Sequence, residues 1–198
     1  MMVDYPNFLQ SFRQYYGEGD CYKRASPEDL ERLRGRVPDQ LLQMVELDGW
    51  CSYRNQAIWT CDPDEMKPAN DAWLGDFPKA EVFMRTAFGD FYFFDGDLIW
   101  TALVNISQVV YSSNNITWFL GSFMKDIRYL KSLSLPKYLN IARKQLGTLE
   151  FDEVYFWSPA FQLGGNWEDS RIEKGKLQVT LDLLAQMDTI NVERLGDA

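Results

Sequence analysis

Carboxylates, three thiols and a complete lack of histidine bound the chemistry open to this chain of 198 residues. Glu150 with Asp152 and Glu153, and Asp95 with Asp97, are carboxylate groups from which a general acid and a general base could be drawn. Such a pair has meaning only in a pocket that separates two pKa values, and both groups lie in turn-like or strand-edge sequence where solvated carboxylates are ordinary. Ser-His-Asp and Cys-His mechanisms need an imidazole that is absent here. Cys21, Cys51 and Cys61 lack the paired spacing that presents four ligands to zinc. They read as reduced thiols, small core residues of a protein in a reducing compartment. Neither a GxGxxG following a strand nor a phosphate loop ending in Gly-Lys-Ser/Thr occurs. The residues thus predict no bound metal, no cofactor and no enzymatic activity.

Binding is the remaining class, and the charge distribution says of what kind. Lys and Arg number 20 against 29 Asp and Glu, a net charge of -9. Such a balance repels nucleic acid and anionic lipid and complements a basic partner. Residues 1–112 hold 10 basic and 18 acidic residues and residues 113–198 hold 10 and 11, so the excess is N-terminal. Within that half the acids crowd between Asp62 and Asp97 and alternate with large aromatics. Most of those aromatics, Trp59, Trp73, Phe77, Phe83 and Phe88 among them, must be core. A mixture of acids and a few aromatic anchors is also what a tight interface with a basic protein uses. The partner-binding candidates are Asp62, Asp64, Glu65, Asp71, Trp73, Asp76, Asp95 and Asp97. A solvated acidic face is the plainer explanation of the same residues.

The elements that must position these residues follow from periodicity. Phe8, Leu9, Phe12, Tyr15 and Tyr16 fall at helical spacing before Gly17. Ser26-Pro27-Glu28-Asp29 supplies an N-cap, a proline at the first helical position and early acids, predicting a helix over 27–34. A third helix opens at Pro38 and ends near Asp48-Gly49. From Trp50 the period shortens: 51–53, 57–60, 82–85, 91–94, 98–103 and 109–111 read as strands of an antiparallel meander. Gly89-Asp90 and Asp95-Gly96-Asp97 are hairpin turns, and Asp62-Pro63-Asp64-Glu65 starts a short helix. Beyond Asn115 the pattern predicts helices over 118–130, 138–146 and 177–187, a short strand at 154–157 and a turn at Gly164-Gly165. The expected fold is α+β: N-terminal helices lead into a mainly antiparallel sheet, followed by a smaller, mostly helical C-terminal region. The subdivision expected is residues 1–112 and 113–198. The start of the chain shows no secretory signal, and its apolar runs fall short of the roughly 18 residues a spanning helix needs. A cytoplasmic protein is expected.

Several phrases together resemble a known family: Pro38-Asp39-Gln40-Leu41-Leu42, Gly49-Trp50-Cys51, Ile58-Trp59-Thr60 with Asp62-Pro63, and Asp71-Ala72-Trp73-Leu74. Ala87-Phe88-Gly89-Asp90-Phe91-Tyr92 and Ser158-Pro159-Ala160-Phe161-Gln162-Leu163-Gly164-Gly165 complete the set. The chain resembles bacterial proteins with an N-terminal GAD-like domain and a C-terminal uncharacterised domain, whose studied members look like immunity proteins against type VI secretion system DNase toxins. The resemblance spans nearly the whole chain; Leu98 to Asn115 and Trp118 to Leu130 depart from it and carry no surface over. It implies a partner that is a nucleic-acid enzyme with a positive cleft, which an anionic inhibitor matches. Two other readings stay open on the residues: a carboxylate-dependent enzyme, and a small-molecule-binding module with a pocket between the domains near Phe161 to Gly165.

Overall fold

Capping and periodicity set the N-terminal helices. In the computed structural model, which describes residues 7–122, 124, 126 and 135–193, α1 (Asn7–Tyr16) buries Phe8, Leu9, Phe12 and Tyr16 along one stripe. Helix α2 (Pro27–Leu33) starts at a reciprocal capping box, in which the Ser26 side chain accepts from Asp29 N–H and the Asp29 carboxylate accepts from Ser26 N–H. Helix α3 (Asp39–Asp48) ends at Gly49, whose φ of 78° suits glycine and where a Cβ would lie 2.5 Å from the Lys23 carbonyl oxygen.

The strands β1 (Asp20–Lys23), β2 (Trp50–Tyr53), β3 (Ile58–Thr60), β4 (Glu81–Thr86), β5 (Phe91–Phe94), β6 (Ile99–Leu103) and β7 (Gln108–Ser113) form one antiparallel run. Helix α4 (Pro63–Trp73) bridges β3 and β4, longer than the short helix expected there. Both faces of the sheet are covered, and side-chain alternation divides the core accordingly. On β5, Tyr92 joins the cluster built with Phe12, Leu41 and Phe119, whereas Phe91 and Phe93 join the cluster of Trp73, Phe77 and Trp100.

The C-terminal part departs from the mostly helical expectation. Besides helices α5 (Ile116–Gly121), α6 (Leu135–Leu146) and α7 (Leu177–Met187) it holds a hairpin of β8 (Glu153–Ser158) and β9 (Arg171–Lys176) between α6 and α7, paired from Glu153 with Lys176 to Ser158 with Arg171. A last strand, β10 (Asn191–Glu193), adds in parallel to β7. The reason lies in composition: Arg-Ile-Glu-Lys-Gly-Lys buries only Ile172 well, so β9 offers no run of β-formers to read. Helix α5 closes at Gly121, and most of the expected continuation to Leu130 lies outside the described residues. Pro136 falls in the first turn of α6, where the missing N–H costs no helical bond.

The two parts share their cores. Tyr155, Trp157 and Ile172 pack into the cluster under α1 and α3, while Val154, Ala160, Leu177, Leu181 and Leu184 pack with Trp73 and Phe77 on the opposite face. Among the described residues no helix is long and apolar enough to cross a membrane.

Candidate functional site

The candidate acids divide into those the fold uses and those it leaves to solvent. Asp62 is 2% exposed. Its carboxylate accepts from Lys23 Nζ at 3.1 Å, from both terminal nitrogens of Arg32 at 3.1 and 2.8 Å, and from the Asp64 N–H at 3.1 Å, which caps α4. Asp64 pairs with Arg32 and with Arg36 Nη2 at 2.7 Å, and the Arg36 hydrogen bonds hold its carboxyl below the ordinary value. Glu65 pairs with Lys23 at 3.0 Å. Arg36 also reaches Glu81 at 2.8 Å. These carboxylates thus tie α4 and β4 to β1 and α2 through three cations of the N-terminal segment.

Asp95 is likewise occupied. Burial raises its pKa, but N–H donors at Leu98, Asp97 and Trp100 outweigh that and lower it below the ordinary carboxyl value. Trp73 is 3% exposed and donates from Nε1 to the Leu181 carbonyl, so the structure places it in the core, not on a binding surface. Asp71, Asp76 and Asp97 are exposed.

Neither carboxylate group forms an acid–base pair. Asp152 bonds Lys176 Nζ at 2.7 Å, and Glu153 bonds Lys174 Nζ at 3.1 Å while accepting the Glu150 N–H. The three cysteines are free thiols, and burial pushes Cys51 and Cys61 up to about 12, which keeps both protonated and unreactive at neutral pH. Among the described residues no cluster of three or more carboxylates and thiols could hold a metal. In the Phe161–Gly165 segment Gly165 alone is closely packed, where a Cβ would stand 2.1 Å from the Pro159 carbonyl oxygen and 2.5 Å from Ser170 Oγ, while Leu163 and Gly164 are exposed.

With Trp73 inside, the apolar part of the surface comes from elsewhere. Val179 and Leu183, four residues apart on α7, are 59% and 51% exposed. Helix α7 lies against α4, held by the Trp73–Leu181 bond and by Gln178 Nε2 donating to the Glu65 carbonyl at 2.8 Å. The outer surface of this helical layer therefore carries Val179 and Leu183 together with the exposed acids Asp71, Asp182 and, just past α4, Asp76. The signal was present in Leu177 to Met187, where apolar residues outnumber the positions one buried face can hold. Leu181 and Leu184 take the inward positions, which leaves Val179 and Leu183 outward.

Residues 6–108 match the GAD-like domain, and residues 113–188 match the C-terminal domain of the T6SS immunity protein Tdi1. The chain belongs to this immunity-protein family. No curated protein matches it. Among solved structures it is similar to Atu4351 from Agrobacterium tumefaciens, with a TM-score of 0.73 over 96% of this chain and 93% of that one. At 14% identity that likeness is one of fold. The GAD-like match spans α1 to α4 and β1 to β6, ending as β7 begins, and the Tdi1-type match spans α5 to α7 and the β8–β9 hairpin.

Proposed function

We propose that this immunity protein neutralises a secreted nuclease in the cytoplasm by binding it through the outer surface of the α4–α7 layer, without catalysis. The match of residues 113–188 to a T6SS immunity protein carries the reading. Electrostatics supports the nuclease: an enzyme that grips a polyanion presents a positive cleft, and a chain of net charge -9 is steered toward it. Asp71, Asp76 and Asp182 supply charge on this face, Asp97 lies on the β5–β6 turn, and Val179 and Leu183 supply the apolar contact that dominates affinity at the centre of an interface. Asp64 and Glu65, half-exposed and already paired, contribute at the rim. Nanomolar inhibition requires about -12 kcal/mol, which a standard-size interface with a few apolar anchors supplies.

Co-expression with the toxin encoded beside it tests the reading. Growth rescue and a complex on size-exclusion chromatography are expected, with no nuclease, hydrolase or transferase activity from the protein alone. Soluble expression without rescue and without a complex defeats it.

A further inference from the structure

Two of the three cysteines stand opposite each other. Cys21 on β1 and Cys51 on β2 are partners in the antiparallel register, so their side chains leave the sheet on the same face. The Cys51 N–H donates to Thr60 Oγ1 at 2.7 Å, and the Cys51 carbonyl accepts from the same hydroxyl at 3.2 Å. Both backbone groups thus point toward β3 and away from β1. That makes Cys21 and Cys51 a non-hydrogen-bonded pair, the kind in which facing Cα atoms stand about 4.5 Å apart and side chains come closest. Such a spacing lies within the range of about 4.4–6.8 Å that a disulfide spans.

The sulfurs converge at the end of α3. Cys51 Sγ donates to the Asp48 carbonyl at 3.1 Å, and Cys21 Sγ donates to the Lys23 carbonyl at 3.3 Å. A Cβ on Gly49, the residue after Asp48, would lie 3.0 Å from Cys21 Sγ, and the two thiol side chains are in direct contact. A Cβ on Gly19 would stand 2.7 Å from Cys51 Cβ and 2.9 Å from its Sγ, so the chain enters β1 this close to Cys51 only because residue 19 has no side chain. Cys21 is partly exposed and Cys51 is buried. One thiol therefore meets solvent while the other meets its neighbour. Cys61 belongs to the core cluster of Trp73 and Phe77 on the opposite face and does not compete.

We propose that Cys21 and Cys51 form a reversible dithiol–disulfide site whose oxidant is hydrogen peroxide. Cys21 Sγ attacks one peroxide oxygen, the O–O bond breaks, and the second oxygen leaves as water with the thiol proton, giving a sulfenic acid on Cys21. The Cys51 sulfur then displaces the sulfenic hydroxyl, which leaves as water with the Cys51 proton as the S–S bond forms. Two thiols lose two electrons in all, and the peroxide is reduced to two waters. Burial that shields Cys51 from reagents in solution does not shield it from the sulfur beside it. Thiol–disulfide exchange with a small dithiol restores the reduced pair. The bond closes a loop around α2 and α3 and fixes β1, whose Lys23 binds Asp62 and Glu65, so the oxidised form is the more stable one. The site is independent of the toxin-binding reading.

Peptide mapping without reductant, after brief exposure of the intact folded protein to hydrogen peroxide, tests this. The expected product is a monomer in which the peptide holding Cys21 is linked to the peptide holding Cys51, with Cys61 still a free thiol. Its melting temperature should rise by roughly 5–10 °C and return to the starting value with dithiothreitol. Cys51→Ala should leave Cys21 as a sulfenic acid that dimedone traps, without the melting shift. If Cys51→Ala fails to fold, Cys21→Ser, at the partly exposed position, should abolish both the link and the shift. Cross-links only between molecules, a link to Cys61, oxidation of Cys21 to sulfinic acid with the peptides unlinked, or a linked form that melts no higher than the reduced one overturns the proposal.

Discussion

Trp73 Nε1 donates to the Leu181 carbonyl oxygen at 2.9 Å, joining a helix of the GAD-like segment to a helix of the Tdi1-type segment across 108 residues. The indole also packs edge-on against Phe91, with 6.3 Å between ring centroids, so the bond sits within the shared core. The family boundary near residue 110 is therefore not a mechanical boundary. Trp73→Phe removes the donor and part of the ring, and a loss of roughly 2–3 kcal/mol is expected. Chemical denaturation followed by far-ultraviolet dichroism and by tryptophan fluorescence should give one coincident transition in both wild type and variant. Two separated transitions in the wild type would contradict the shared core.

Asp48 anchors α3 to α1 and β2 at once. It is buried, and its carboxylate accepts from Arg13 and, at 2.9 Å, from Tyr53 Oη. Replacing it by alanine takes the carboxylate away from a mostly buried guanidinium and leaves the buried Tyr53 hydroxyl without its acceptor. Removing one partner of such a pair costs roughly 3–5 kcal/mol, far more than the pair contributes over an apolar substitute. Urea denaturation of Asp48→Ala is expected to show a loss in that range, and a variant within 1 kcal/mol of wild type, on the scale of a surface pair, would show that the site relaxes.

Asp90 gives the stability a pH dependence of unusual sign. Burial raises its pKa to about 7, against which the single hydrogen bond from Val104 N–H at 2.9 Å works only weakly. The unfolded carboxyl loses its proton near 3.8, so between that value and about 7 the folded state binds more protons than the unfolded state. Its contribution therefore favours folding at the acid end of that window and is lost as pH rises through about 7. Asp90→Asn, which keeps the acceptor and removes the charge, is expected to stabilise by roughly 1–3 kcal/mol at pH 8 and to change little at pH 4. Melting curves at the two pH values check this; equal effects at both would rule out a buried titrating carboxyl.

The meander from β2 to β7 and the first three helices were legible because they rest on local chemistry: the Ser26–Asp29 box, Gly49 after α3, and turns such as Asp95-Gly96-Asp97 that their own side chains close; the edge strand β1, made only by pairing with β2, was not. What was hidden depends on contacts distant in sequence. Strand β9 forms because β8 offers an edge, and β10 because β7 does. The acidic stretch was legible as charge but not as geometry. Nothing local to Asp62 reveals that Lys23 and Arg32, 39 and 30 residues away, bind it. The burial of Arg85 on β4 was invisible for a related reason: an arginine among β-formers looks like an outward strand position until both faces of the sheet are seen to be covered.

Folding and binding roles of the acids should separate by mutation. Asp62→Lys places a cation against Lys23 and Arg32 in a nearly solvent-free position and removes the cap of α4, so the fold itself should fail or lose several kcal/mol. Asp71→Lys with Asp76→Lys changes exposed carboxylates that the fold does not need, so the melting temperature should move little. Toxin association should nevertheless slow about tenfold at low salt and converge on the wild-type rate at high salt, because a Debye length near 8 Å at physiological ionic strength screens exposed charges. Leu183→Asp should act differently, through dissociation, since an apolar anchor at the centre of an interface holds the complex once formed. A loss of affinity of roughly 100-fold, carried by the dissociation rate and measured by surface plasmon resonance, is expected. If the double charge reversal and Leu183→Asp both bind as wild type while dichroism shows intact folds, the toxin docks on another face, and the exposed surface of the α4–α7 layer is only a solvated one.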